Sequence, residues 1–305
     1  MRLSKRIRRS AVYYFARTAL FGLNRLPRKV ALCLGGWVGL ASWWIAAKSR
    51  YKAQRHLTLV YGERLSFREK ERLGRGFFVN SGRNMADVLR FREHFDEIKP
   101  LVTVEGLVHF DNAIKRGNGL LGITGHLGNF ELLAAYISSL GYNIAVIGRE
   151  LYEPRLNQLL VANREAVGLT NISTTDSPKR IIKWLRDGNA LGVLIDNDSS
   201  RIRGMFIPAF GRWSYTPIGQ TVLGLKTGAS FLPMACLRLP DDRYHIVIKE
   251  PIVYIPQGDT DMDVFNVTLA CTRELEKIIL EYPDQWAWHH NRWRTRMKSP
   301  LTDFD

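Results

Sequence analysis

The sequence predicts an α/β protein in which a mixed, largely parallel sheet is flanked by helices and preceded by a helical, membrane-associated N-terminal segment. Three observations carry that prediction. After Pro100, short apolar runs bounded by glycine alternate with longer stretches of helical period. Before it, apolar positions recur every three or four residues in a charged background. The 305 residues are 46% apolar and 11% aromatic, enough for a sizeable core, and 25 Gly and 12 Pro without a period exclude collagen-like and disordered chains.

Residues 1–29 form a basic arm with Arg2, Lys5, Arg6, Arg8, Arg9, Arg17, Arg25, Arg28 and Lys29 and no acid. An uncharged run of 18 residues, 30–47, follows and is closed by Lys48, Arg50 and Lys52. That length just reaches a bilayer span. Gly35 and Gly39, four apart, suit close helix approach, Trp43 and Trp44 suit an interface, and no cleavage site follows, so the segment is expected to stay as a spanning or interfacial anchor. A buried core helix is the soluble alternative. Residues 1–50 thus read as arm and anchor, and 51–305 as the main domain.

Within it, 51–100 predicts two or three amphipathic helices. The runs LVTVEG, GLLGITG, YNIAVIG and ALGVLID predict strands, followed by helices near 108–116, 128–140, 154–168 and 178–187. SFLPMACLRL and YHIVIKEPI, separated by Pro240, Asp241 and Asp242, predict an antiparallel hairpin at the sheet edge, and a helix follows at about 262–282.

Charge and cysteine bound the function. With 44 basic and 29 acidic side chains the formal charge is +15, which attracts an anionic partner such as nucleic acid, an acidic protein or lipid phosphates. Cys33, Cys236 and Cys271 are isolated and indicate neither a disulfide framework nor a thiolate metal site.

Ligands of open α/β sheets gather where strands end and helices begin. GLLGITG runs into Gly125, His126, Leu127, Gly128, Asn129, Phe130 and Glu131, which places a histidine at a strand exit and a carboxylate in the first turns of a helix. Imidazole beside a carboxylate is a general base, and Gly125 and Gly128 give the loop freedom to bring the two together. The spacing alone also fits a histidine that merely satisfies a helix end. Asp196 and Asp198 follow ALGVLID; a DxD can hold Mg²⁺, but no further carboxylates accompany it, and loop hydrogen bonding is the simpler reading. In WAWHHNRWRTR, adjacent His289 and His290 point apart on either regular element, which argues against joint chelation. Its tryptophans and arginines suit an anionic lipid surface.

GHLGNFELLA resembles the HxxxxE block of the late, or secondary, acyltransferases of lipid A biosynthesis, the lauroyl and myristoyl transferases, which are distant relatives of the HxxxxD glycerolipid acyltransferases. The resemblance continues through Arg149, Asn157, Arg164 and Gly168, through the DxD and FPxFG-like block around Asp196, Asp198 and Phe210, and through the C-terminal WxHxRW-like ending. RYKAQRHLTLVYGE is similar to a further family segment, with Tyr61 and Gly62 departing from its Phe-Pro. The blocks follow in order over nearly the whole chain. The resemblance implies a glycerolipid-acyltransferase-like fold and O-acyl transfer from acyl carrier protein to a hydroxyl of a lipid A precursor, in lipopolysaccharide biosynthesis at the cytoplasmic side of the bacterial inner membrane. It implies His126 as base, Glu131 as its orienting partner, and Arg164, Arg149, Gly128, Asn129, Asp196 and Asp198 as substrate-binding residues, with no metal or other cofactor. Backbone N–H groups at the helix start near Gly128, with an arginine, would meet the oxyanion. An acyl-CoA-dependent enzyme acting on a phosphatidylinositol mannoside is the nearest alternative. A basic nucleic-acid-binding protein is the alternative of another class, weakened by the absence of a recognisable binding module.

Overall fold

The computed structural model describes residues 3–199 and 202–297. Arg2 lies outside them, as do the side chains of Lys5, Arg6 and Arg8. The basic arm is itself a helix, α1 (Leu3–Arg25), and Pro27 turns the chain into α2 (Arg28–Ile45). Proline suits this place because its fixed φ and missing N–H are tolerated where a helix begins. Three helices follow as expected, α3 (Ala47–Tyr61), α4 (Phe67–Val88) and α5 (Phe91–Ile98). α4 starts at a capping box, in which Ser66 and Glu69 satisfy each other's backbone N–H groups.

The α/β part runs β1 (Val102–Glu105), α6 (Leu107–Lys115), β2 (Leu120–Thr124), α7 (Phe130–Ser139), β3 (Ile144–Gly148), α8 (Pro154–Glu165), β4 (Thr170–Ser173), α9 (Pro178–Arg186) and β5 (Ala190–Leu194). A two-stranded ribbon of β6 (Gly204–Ala209) and β7 (Arg212–Pro217) follows, then α10 (Gly219–Thr227), β8 (Ser230–Arg238), β9 (Tyr244–Ile248) and α11 (Thr260–Glu281). The main sheet has the order β1-β9-β8-β2-β5-β3-β4, parallel throughout except for the β8–β9 hairpin. The predicted hairpin exists but is not at the edge. β8 pairs with β2 and β9 pairs with β1, so both its strands are interior, as their burial over eight of nine and four of five residues requires.

One face of the sheet carries Leu121, Ile123 and Val193 into a core with Leu185 of α9 and Val267, Cys271 and Leu275 of α11. The other packs Leu120 and Ile144 on Phe110 of α6 and Leu132 and Leu133 of α7. Each such side chain, fully buried, contributes roughly 1.5–3 kcal/mol of transfer free energy.

α2 crosses α4 at backbone contact distance. A Cβ on Gly35 would lie 2.5 Å from the Gly82 carbonyl oxygen, and one on Gly39 would lie 2.2 Å from that of Phe78. The four-residue glycine spacing therefore serves a contact inside the protein. Trp43 is wholly buried against Gly74, Leu57 and Phe78, so residues before and after 50 share one core. The opposite face of α2 leaves Leu34, Trp37, Val38, Trp44 and Ile45 exposed. Among the described residues no single helix is long and apolar enough to cross a membrane; α2 and the next helical stretch together have the composition but are bent by 87°.

Candidate active site

β2 and β5 are neighbours in the middle of the sheet, and their carboxyl ends bring His126 and Asp196 together. His126 Nδ1 lies 2.8 Å from Asp196 Oδ1, and the His126 backbone N–H donates to Oδ2 at 2.7 Å. Trp286 Nε1 donates to the same Oδ2 at 2.8 Å. Asp196 is 2% exposed, so three donors hold a buried carboxylate in one orientation and ionised. Burial opposes its charge, but the His126 charge and hydrogen bond dominate, with His290 and Trp286 assisting, and its pKa is lowered. Burial likewise opposes charge on His126; Asp196 outweighs it, and the imidazole pKa is raised. With Nδ1 engaged, Nε2 is the ring nitrogen left for a substrate.

Asp196, not Glu131, thus occupies the position expected of the orienting carboxylate. Glu131 lies in the first turn of α7 and turns to Arg164 of α8 instead. There it receives Arg164 through Nε at 2.9 Å and through Nη2, a two-pronged pair. Arg164 Nη1 also donates to Asn171 Oδ1 at 3.0 Å.

The other expected binding residues divide. Gly128 has φ +57°, and a Cβ there would meet the Cys236 carbonyl oxygen at 2.0 Å, so only glycine fits. Its N–H donates to the Gln285 carbonyl at 2.9 Å, and that of Asn129 donates to the Cys236 carbonyl at 2.7 Å. The Asn129 side chain caps α7 by accepting from the Leu132 N–H. These amides hold the loop and are not open to an oxyanion. In the first turn of α7 the N–H groups of Phe130 and Glu131 remain without a protein acceptor among the described residues. Asp198 is also internal, accepting from the Thr295 N–H at 2.5 Å and hydroxyl at 2.7 Å. The two carboxylates of the DxD therefore do not converge. Arg149 stands at the exposed end of β3, beside Arg164 in a recess separate from His126.

His126, Phe130 and Glu131 line a cleft of about 710 Å³, otherwise mostly apolar, closed by Leu20 and Leu23 of α1, Met85 and Val88 of α4, and Leu156 and Leu159 of α8. His289 and His290 complete it. The His290 ring packs edge-on against His126 at 4.2 Å between centroids. Burial and the His126 charge push His290 down to about 3, so it is neutral whenever His126 can act as a base. Facing atoms of His126, Asp196 and His290 lie within 4.8 Å, close enough for a metal, but both Asp196 oxygens already accept hydrogen bonds from His126 and Trp286.

Trp286 and Trp288 of the C-terminal stretch, expected at a lipid surface, therefore pack inside the protein and build the site. Trp286 is 1% and Trp288 0% exposed, each with its indole N–H bonded, and Arg292 is 3% exposed. Sequence reasoning singled out these residues but missed that Trp286 braces Asp196. It also missed Asn84 of α4, whose side-chain N–H donates to the Gly128 carbonyl at 2.9 Å. Asn84 belongs to a buried network in which Arg238 bonds Asn84 and Asp87, and Asp87 receives Arg28 from α2. No sequence spacing signals a contact across such separations.

The pattern of the family described as bacterial lipid A biosynthesis acyltransferase matches residues 2–295. The lipid A biosynthesis lauroyltransferase of Escherichia coli (strain K12) is 28% identical over 197 residues, covering 63% of this chain and 62% of that protein. The palmitoleoyltransferase of the same strain is 23% identical over 291 residues, covering 89% and 87%. A phosphatidylinositol mannoside acyltransferase of Mycobacterium tuberculosis (strain CDC 1551 / Oshkosh) is 23% identical over 194 residues, covering 62% and 59%. The chain thus spans less than two thirds of the first and third of these relatives and most of the second. A histidine–carboxylate pair in an α/β sheet accords with the pattern matched over almost every residue: the chain belongs to the bacterial lipid A biosynthesis acyltransferase family, a family of O-acyltransferases.

Proposed function

We propose that this chain transfers a fatty acyl group from a carrier thioester to a hydroxyl of an anionic glycolipid of the lipid A precursor class, with His126 as general base. The observation that supports this most is the His126–Asp196 pair, whose histidine lines an apolar cleft of about 710 Å³, a volume in the range of small-molecule sites. The acceptor hydroxyl gives its proton to His126 Nε2 as its oxygen bonds to the thioester carbonyl carbon. Negative charge collects on the carbonyl oxygen, where the free amides of Phe130 and Glu131 are the available donors. Collapse breaks the carbon–sulfur bond, and the imidazolium returns the proton to the departing thiolate. Asp196 stabilises the imidazolium between these steps. Glu131 and Arg164 neutralise each other, and their part is to shape the cleft wall and position substrate.

An acidic carrier protein as donor fits the net charge of +15. Association with the inner membrane at its cytoplasmic face fits the exposed Phe15, Phe21, Trp37 and Trp44 of α1 and α2, interspersed with Arg17, Arg25 and Lys29. The mycobacterial relative supports a second reading with a phosphatidylinositol mannoside as acceptor, for which acyl-CoA is the alternative donor. Incubating the purified protein with each donor and acceptor pair and weighing the product decides between them. One added acyl mass on the lipid A precursor, with carrier protein outcompeting acyl-CoA, is expected; acylation of neither acceptor overturns both readings.

A further inference from the structure

The peptide plane just before the open amides of α7 is clamped at both ends. Its carbonyl, that of Gly128, accepts from the Asn84 side chain at 2.9 Å, and its N–H, that of Asn129, donates to the Cys236 carbonyl at 2.7 Å. The next plane carries the open Phe130 N–H, and only φ and ψ of Asn129 lie between the two planes. Those dihedrals are tied as well, since the Asn129 side chain caps α7 and its carbonyl accepts from the Leu133 N–H at 3.0 Å. Gly128 has φ +57° and no Cβ, so nothing in its own covalent structure keeps the clamped plane from turning over. The restraint comes from outside the loop.

Asn84 of α4 is itself held. Its Oδ1 accepts from Arg238 Nε at 2.8 Å, and because a guanidinium only donates, the amide nitrogen is the end that faces Gly128. Arg238 donates to Asp87 at 2.9 Å, Asp87 accepts from the Tyr244 hydroxyl at 2.7 Å, and that hydroxyl accepts from the Asn129 side-chain N–H at 3.1 Å. The bonds close a ring that grips both residues of the clamped plane. Asn84 is 7% exposed and Asp87 and Tyr244 are 0%, so water does not compete for these bonds. A buried ion pair adds little net stability over an apolar core of the same volume. What this one supplies is fixed geometry.

We propose that Asn84 is a positioning residue for acyl transfer, which acts through the Gly128 carbonyl to set the orientation of the Phe130 and Glu131 amides toward the oxyanion. The proposal rests on the acyl-transfer reading. An oxyanion exists only on the way through the reaction, so misaligned amides lower kcat and leave substrate binding nearly untouched.

The test compares wild type, Asn84→Asp, Asn84→Leu and Arg28→Met in steady-state acyl transfer, with a thermal melt of each. Asn84→Asp keeps the size and the oxygen that meets Arg238 but turns the donor to Gly128 into an acceptor; Asn84→Leu removes both. Arg28→Met cuts the same network at Asp87 and leaves Asn84 joined to Gly128. Asn84→Asp is expected to lower kcat by about ten- to hundredfold with KM within about threefold. The acid limb of its pH profile should stay where wild type has it, because His126 and Asp196 are untouched. Asn84→Leu should lose at least as much, and it is judged by the same split between kcat and KM if the added carboxylate unfolds the protein. Arg28→Met should melt at a lower temperature yet keep kcat within about twofold. A folded Asn84 variant with kcat within twofold of wild type, a rise in KM in place of the fall in kcat, or an equal loss of kcat in Arg28→Met overturns the positioning role and leaves acyl transfer standing. Wild type that acylates no acceptor overturns the acyl-transfer reading, and the positioning role with it.

Discussion

At the end of β2, Asp196 holds His126 through one ring nitrogen at 2.8 Å, while in the first turn of α7 Glu131 holds Arg164 through two parallel bonds. Both stand beside one cleft, and both join an acid to a basic side chain from a distant segment. The first leaves a titratable nitrogen uncommitted, and its buried acid raises the proton affinity of that nitrogen. The second joins a carboxylate to a group that does not deprotonate, so it can place atoms but cannot carry a proton. A base must be held on one side and free on the other, and of the two pairs the first meets that condition.

Breaking the first pair should give the largest effect. His126→Ala is expected to lower kcat by about 10²–10⁴-fold with folding retained, because the side chain is partly exposed and its removal leaves Asp196 bonded to Trp286 and to the residue 126 N–H. Single-turnover rates beside a thermal melt check this, and more than a third of wild-type rate in a folded variant contradicts it.

Breaking the second pair should cost less. Glu131→Gln or Arg164→Gln is expected to reduce kcat/KM by about tenfold, with the double variant no worse than either single one, as coupled partners behave. Additive losses, measured across the full cycle, would show that the two residues act separately on substrate.

A smaller effect concerns membranes. Replacing exposed Trp37 and Trp44 by Ser should weaken sedimentation with anionic vesicles severalfold while leaving turnover of a soluble acceptor analogue within about twofold, since surface changes away from a core are nearly neutral to stability. Unchanged sedimentation would remove α2 from the membrane contact. Surface variants are the better probe because removing α2 would also strip Trp43 from the core.

Much of this was legible in the sequence. The strand and helix alternation placed β1, β2, β3, β5, α6, α7, α8 and α9 within a few residues, because each carries its own apolar period and glycine boundary. β4 was missed: Thr170–Ser173 has a single buried residue, Ile172, and takes its strand form from pairing with β3. The two tryptophan-rich ends were read alike, yet Trp44 is 59% exposed whereas Trp43, read with it, is 0% and Trp286 1%. Composition could not separate them, since Trp286 is buried by packing on Phe210 and Trp288 and its N–H is accepted by a carboxylate 90 residues away. The same limit applied to the site. His126 was legible at a strand exit, whereas its partner depended on which strand lies next to β2, a fact of topology that local spacing does not encode.

The rise of kcat/KM with pH in Asp196→Asn and Glu131→Gln tests the central claim most directly. His126 must be neutral to accept a proton, so activity should rise through its pKa, which Asp196 holds above the ordinary histidine value. Removing the Asp196 charge withdraws stabilisation of the imidazolium. The acid limb of Asp196→Asn should therefore move to lower pH, with a plateau reduced by about 10²-fold or more as the tautomer is lost. The Glu131→Gln limb should stay at the wild-type position beneath a lower plateau. A limb that moves in Glu131→Gln and stays in Asp196→Asn would contradict the assignment and return the orienting role to Glu131.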